Sequence, residues 1–467
     1  MNPLLFTDPA FLFCFGPIVF TLYHLIPSVF RNAFLLFASL TLYFWGDGNN
    51  VMALLAAIAI NYCFGRMISR KTQDSSRVLL CVGVTANLLL LSGFKYAAFL
   101  VVNLNAVLTL AGVAALPVPH IRLPVGLSFF IFMGISYLVD IYRKEAIAGK
   151  SPIDFALYLS LFPHIIAGPI VRYKDLVRQI NCRTISASRF TYGIKRFVIG
   201  LGKKIMIGNT VAQSADAIFV LQPDQLSAPV AWLGALCYTL QIYFDFSGYS
   251  DMAIGLAQML GFRFPENFNY PYISQSISEF WKRWHISLST WLRDYLFFSL
   301  SQRRRRWTIF KNSLIVFAVC GLWHGASWHF VIWGVYHGIF RALEAAGLSA
   351  YLKKLPSVLR HSYLLMVVII GWVIFRAESL TVAGIYLASM FGMNRSPFVA
   401  SDIRQYLPLD VLLAMLAGIA GSAPLRLRNR KRLDSAAVEI AALAFLFLVA
   451  IATAAAGTYN PFIYFRF

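Results

Sequence analysis

The stretch KNSLIVFAVCGLWHGASWHFVIWGVYHGIF, residues 311–340, decides the fold class, because its one Lys stands at its first position. About twenty consecutive apolar residues suffice to cross a bilayer as a helix. Comparable runs fall near 8–27, 33–47, 51–69, 78–94, 96–115, 123–142, 227–246, 362–377, 406–421 and 437–456. Of the 467 residues 59% are hydrophobic and 13% charged, where average soluble chains carry about 25% charged residues. Mean hydropathy is +0.66. These values predict an all-α polytopic membrane protein of about eleven to thirteen spans. Segments at 152–168, 191–212, 276–300 and 380–393 are shorter or interrupted by polar residues, and read as re-entrant or interfacial helices. No long polar stretch exists to build a soluble domain, so one membrane-embedded domain over 1–467 is expected, with N-terminal helices at 1–142 and C-terminal helices at 346–467.

Net charge is +21, from 41 Lys and Arg against 20 Asp and Glu. The positive residues cluster in short loops, at 66–77, 303–306 and 426–432. Such loops mark the cytoplasmic face and attract anionic lipid headgroups. Membrane lipids are therefore expected partners. Nucleic acid is not, since no aromatic-basic domain stands apart from the spans. Residues 46–50 lack Lys and Arg, which predicts an external loop and an external N-terminus. Arg143, Lys144 and Lys150 then conflict with this topology. Three apolar runs separate them from the 66–77 loop, and three crossings would end outside. The N-terminus lacks a basic segment and a small-residue cleavage site, so the first run is expected to be retained. Six scattered cysteines without a CxxC read as packing residues, not as disulfides or a zinc site.

An ionisable side chain inside a membrane is costly and is a functional candidate by default. His324 lies in Gly321-Leu-Trp-His-Gly325, followed by Ala-Ser-Trp328. Small residues there allow close backbone approach, and Trp323 and Trp328 are expected to wall the site. A neutral imidazole can take a proton from a hydroxyl and return it to a leaving group, since its pKa is about 6.5. The plainer reading is a histidine that hydrogen-bonds a neighbouring helix. His285 lies in Phe280-Trp-Lys-Arg-Trp-His-Ile-Ser-Leu-Ser289. Helical spacing predicts Trp281, His285 and Ser289 on one face, with Trp284 nearby. An interfacial helix with an aromatic belt fits the same residues. Gln241, Asp245 and Tyr249 are predicted on one helical face, and Ser247 and Asp251 on another, where the carboxylates would orient a histidine or hold basic residues. His164, between two prolines, marks a broken or re-entrant helix. His324 and His329 are five apart and face different ways on a helix, so no metal site is expected.

Taken together, Leu123–Phe130, Leu161–Arg172, Gln241–Gly255, Gly261–Leu296 and Gly321–Gly338 resemble the membrane-bound O-acyltransferase family. Within it they look most like the bacterial branch that acetylates exopolysaccharides such as alginate or cellulose. The resemblance places the family's paired histidines on His285 and His324, within a core at 143–345. It implies a helical shell around a funnel or tunnel, and location in the bacterial inner membrane. It also implies a cytoplasmic acyl thioester, acetyl-CoA, as donor substrate with no bound cofactor. The implied partners are a periplasmic acetyltransferase or carrier protein and a polysaccharide acceptor. On this reading His324 is the general base and His285 positions or shuttles the proton. The chain departs from the family after Asp294-Tyr295, where Leu-Phe-Phe-Ser-Leu-Ser-Gln and four arginines follow.

Other readings stay open. D-alanyl or other acyl transfer to a cell-envelope polymer uses the same chemistry. A transporter or proton-coupled flippase also places His and Asp inside the membrane, although no paired inverted halves are visible. The absence of a P-loop or a Gly-x-Ser-x-Gly elbow leaves ATP-driven work and covalent serine catalysis without support.

Overall fold

The computed structural model describes residues 6–300, 306–393, 402–424, 436–456 and 463. All regular structure among these residues is helical, and no strand occurs among them. Ser28–Ile68, Gln73–Leu110, Ser357–Arg376 and Ala436–Ala456 are long and apolar enough to cross a bilayer. Shorter apolar helices include Leu127–Tyr142, Thr308–His324 and Leu409–Gly421. The basic clusters at 303–305 and 426–432 lie outside the described residues. By packing, the chain divides into two compact units, Met1–Ile194 with Ala253–Pro265 and Lys195–Met252 with Glu266–Phe467.

In the first unit, α1 (Val51–Ile68), α2 (Gln73–Leu110) and α3 (Leu127–Tyr142) pack together. Side-chain amides clasp α1 to α2. Asn61 Nδ2 donates to Asn87 Oδ1 at 2.9 Å, and Asn87 Nδ2 returns the bond to Asn61 Oδ1 at 3.0 Å. Both side chains are fully buried. Interhelical amide bonds of this kind hold membrane helices where apolar burial alone does not. Small residues bring α3 close: a Cβ at Gly134 would stand 2.4 Å from Asn61 Nδ2, and one at Gly65 would stand 2.3 Å from the Tyr137 ring.

The topology conflict in the sequence has its answer here. The runs 78–94 and 96–115 are not two crossings. They belong to the single continuous helix α2, which passes through a π-helical turn at Ser92–Tyr96 without reversing. One reversal fewer brings the 66–77 and 143–150 clusters to the same end of the unit. Tyr62 Oη, near the end of α1, donates to the Lys150 carbonyl at 3.0 Å. Conversely, the run 311–340 is not one span. It breaks at Gly325-Ala-Ser into two helices, Arg306–His324 and Trp328–Leu343.

The second unit is built on residues 228–252 of Ala228–Met259 (α5), a helix that the predicted 227–246 run enters and that continues beyond it. Gly200, in Ala187–Gly202 (α4), faces Gly248 of α5. A Cβ at Gly200 would lie 2.6 Å from the Gly248 carbonyl oxygen. That approach lets basic residues of the 196–204 segment reach the carboxylates of α5. Lys204 Nζ meets Asp245 Oδ1 at 2.5 Å, both side chains being buried. Arg196 and Lys203 each meet Asp251 at 2.7 Å. Breaking a buried pair by removing one partner leaves an uncompensated charge. The aspartates flagged in the sequence thus hold basic residues in place.

Ile277–Arg283 (α6) and Ile286–Trp291 (α7) are short helices. The N-terminus of α6 is tied down by Glu344, just after Trp328–Leu343 (α9). The buried Glu344 carboxylate accepts from Ile277 N at 2.7 Å, Ser278 N at 2.8 Å and Tyr363 Oη at 3.2 Å. An anion bonded to the free N–H groups of a helix start is a strong, charge-assisted contact. Replacing Glu344 with Ala is expected to lower the unfolding temperature of the detergent-solubilised protein and to reduce acyl transfer with it. Gly134→Leu, which forces a side chain into the Asn61–Asn87 clasp, should lower that temperature as well. An unchanged melt of either variant would contradict the packing described.

Candidate active site

His324 is the last residue of Arg306–His324 (α8), at the tip of an antiparallel helical hairpin with α9. Glycines set the hairpin's spacing. A Cβ at Gly321 would lie 2.0 Å from the Phe330 carbonyl oxygen, and one at Gly334 would lie 2.1 Å from that of Phe317. The two backbones therefore touch, and His324 is held where the chain turns. His324 is 7% exposed, and its ring is caged edge-on by Trp323, Trp333 and Phe375, with centroids at 5.0, 5.2 and 5.3 Å.

His285 sits in a turn, which corrects the single-helix expectation. Trp284 is extended, and His285 adopts the left-handed conformation with φ 41° and ψ 56°, so α6 ends before it and α7 begins after it. Trp281, His285 and Ser289 consequently do not share a helical face. The cause is tertiary. Asn267 accepts the Ile286 N–H on its carbonyl at 2.9 Å and the Ser287 N–H on Oδ1 at 3.2 Å. No glycine or proline marks the break. A left-handed non-glycine residue carries backbone strain and persists only where its surroundings hold it. His285 is fully buried, with Nδ1 3.1 Å from Asn267 Oδ1.

The two histidines share walls. Trp323 lies 6.1 Å from the His285 ring as well as beside His324. Phe246 of α5 packs edge-on against His285 at 4.7 Å. It also lines a cavity of about 10 Å³ with His324, Trp284, Trp333, Trp372 and Phe375, close to the space that one water molecule needs. Ile463 reaches the same cavity, its N–H donating to Asp245 Oδ2 at 2.8 Å. Asp245 therefore anchors both Lys204 and the chain near the cavity. Gln241 and Tyr249 are buried on α5.

Trp328, expected as a wall, is 55% exposed. It starts α9 beyond the turn, and Trp333, about one and a half turns further on, packs on His324 instead. Trp281 faces a second cavity of about 490 Å³, shared with Ser289, Thr290, Lys282, Arg293 and Arg341. Its lining joins these polar and cationic side chains to apolar ones such as Leu292, Phe297 and Phe317, and Arg293 is paired with Asp294 at 2.7 Å. Trp281 also packs edge-on against Trp333 at 5.8 Å and His337 at 5.2 Å. An aromatic partition thus stands between this cavity and the cavity at His324. Ser289 Oγ itself donates to the Trp284 carbonyl at 3.3 Å. His164, in the first unit, is buried in a turn closed by Gly168 N–H donating to its carbonyl at 3.1 Å. Among the described residues no group of three or more His, Cys, Asp or Glu side chains converges as a metal site would.

Sequence reasoning missed Asn267, Phe246, Trp333, Trp372 and Phe375. The one local hint was the turn-rich Pro265-Glu-Asn-Phe-Asn-Tyr-Pro271, whose two prolines exclude a helix around Asn267.

The sequence profile of the membrane-bound O-acyltransferase family matches residues 35–387. The chain is 41% identical, over 99% of its length and 100% of the relative's, to a protein of Azotobacter vinelandii named "Probable alginate O-acetylase". A Pseudomonas aeruginosa protein of the same name is 46% identical over 84% of this chain and 75% of its own. The peptidoglycan O-acetyltransferase of Helicobacter pylori is 34% identical over 84% of this chain and 80% of its own. The chain is a membrane protein and an acyltransferase: it belongs to the membrane-bound O-acyltransferase family.

Proposed function

We propose that this chain moves an acetyl group from a cytoplasmic thioester, acetyl-CoA, across the bacterial inner membrane for O-acetylation of an exopolysaccharide, with alginate the favoured polymer. Support for the polymer comes from the names of the alginate relatives, which match nearly the whole chain. The observation that carries the chemistry is the shared aromatic enclosure of His285 and His324. The cationic cavity at Lys282, Arg293 and Arg341 suits the phosphates of the donor. Its thioester would pass the Trp281–Trp333 partition to meet His324 by side-chain movement. A funnel joining the two membrane faces is part of the proposal.

In the reaction His324 takes the proton of an acceptor hydroxyl. The oxygen attacks the thioester carbonyl, the tetrahedral intermediate collapses, and the C–S bond breaks. The departing thiolate recovers the proton from the imidazolium. Such general-base catalysis contributes about 10²–10⁴-fold. His285 assists by positioning or shuttling the proton. Exclusion of water from the enclosure protects the thioester from hydrolysis. The acceptor is the polymer itself or a periplasmic acetyltransferase or carrier that passes the group on.

Purified protein given a labelled acetyl thioester and acceptor should transfer the label. His324→Ala should lose at least about 10²-fold in rate while still inserting and folding, and His285→Ala should lose a comparable factor. Normal transfer by His324→Ala would refute its assignment, and a small effect at His285 would reduce that residue to packing. Lys282→Ala and Arg341→Ala should raise KM for the thioester with little change in kcat. An unchanged KM would place the donor elsewhere.

A further inference from the structure

We propose that Asn267 is the positioning residue that holds His285 as the Nδ1–H tautomer, which makes Nε2 the basic nitrogen of that ring. The inference rests on the reading of His285 as a working group, and goes beyond it by naming the atom that works and the residue that selects it.

A neutral imidazole donates from one nitrogen and accepts at the other, and the partner of one nitrogen decides the role of both. An asparagine amide has nearly the same shape in either orientation, so its neighbours must tell oxygen from nitrogen. Here a backbone group decides. The Ser287 N–H can only donate, and it meets the Asn267 amide atom at 3.2 Å. The Ser287 hydroxyl donates to the same atom at 2.9 Å. An NH₂ group placed there would oppose that backbone donor, so the atom is Oδ1. An amide oxygen can only accept. His285 Nδ1, 3.1 Å away, must then supply the proton, and the lone pair of the neutral ring lies on Nε2. The other tautomer would set two lone pairs against each other in a fully buried site.

Asn267 is well placed to enforce this. It is fully buried, and its own carbonyl accepts the Ile286 N–H at 2.9 Å. One residue therefore fixes both the left-handed turn at His285 and the proton position on its ring. The choice of amide over carboxylate has a consequence as well. A carboxylate at this position would favour the imidazolium and disable the ring as a proton acceptor near neutral pH. The amide orients the ring without adding charge. The groups packed on the ring, Phe246 from α5 and Trp323 from α8, are uncharged too.

The test uses the full-length protein with ¹⁵N-labelled histidine, the His285 signals being identified by their loss in His285→Gln. Wild type should show a protonated Nδ1 and an unprotonated Nε2 near neutral pH. Asn267→Ala should shift the ring toward the Nε2–H form and lower kcat by about tenfold or more. Asn267→Asp preserves the acceptor, so it should keep the tautomer and restore activity at high pH, with the acid limb of the pH–rate profile moved upward. A wild-type Nε2–H ring, or a tautomer unmoved in Asn267→Ala, overturns the proposal. If the alanine variant does not fold, an acid limb unmoved in Asn267→Asp overturns it instead. A tautomer that shifts in Asn267→Ala with kcat unchanged supports the role of Asn267 and refutes the catalytic role of His285.

Discussion

The backbone contact between Gly321 of α8 and Phe330 of α9 is the constraint on which the site depends. Two helices joined by a three-residue turn can lie this close only where a glycine faces the other backbone, and Gly321 and Gly334 supply that from the two arms of the hairpin. Their contact fixes the tip, and the tip carries His324. The aromatic cage then follows from what the hairpin faces: Trp333 comes from its second helix, and Phe375 from Ser357–Arg376. A polar ring at the end of an apolar hairpin would otherwise be free to seek water or a headgroup.

Around this point the second unit spends its few buried charges on geometry. Lys204 and Asp245 form a buried pair, and the second oxygen of Asp245 takes the Ile463 N–H beside the His324 cavity. Glu344 binds the start of the helix that precedes His285. Buried ion pairs contribute little net stability against apolar replacements, because desolvation cancels much of their attraction. Their value here lies in direction. Each sets the place of one backbone segment that bears on the two imidazoles. His285 in its strained turn is the product of several such restraints, with Asn267 the nearest.

The fold class was legible because hydropathy is a property of composition, and the 311–340 run declares it alone. Helix count was not, since hydropathy does not record reversals. Two runs, 78–94 and 96–115, proved to be one helix, while 311–340 proved to be two. The histidines stood out because imidazoles are rare in apolar runs. The break at His285 was invisible: nothing in Trp284-His285-Ile286 disfavours a helix strongly, and the residue that breaks it stands at 267. Trp328 misled for a related reason. Proximity in sequence to His324 places it beyond the turn, whereas Trp333, further along α9, points back onto the ring. The role of Asp251 was legible only in kind, because a carboxylate in a long apolar helix must find a partner, and it is the structure that supplies Arg196 and Lys203.

The central claim is that acyl transfer takes place in the enclosure shared by His324 and His285. A structure of the protein bound to a non-hydrolysable acetyl thioether donor analogue tests it most directly. The account predicts the headgroup phosphates at Lys282, Arg293 and Arg341, the Trp281–Trp333 partition displaced, and the acyl carbon within about 4 Å of the reacting groups around His324. An analogue seated with its acyl end away from both imidazoles, and the partition closed, would contradict it.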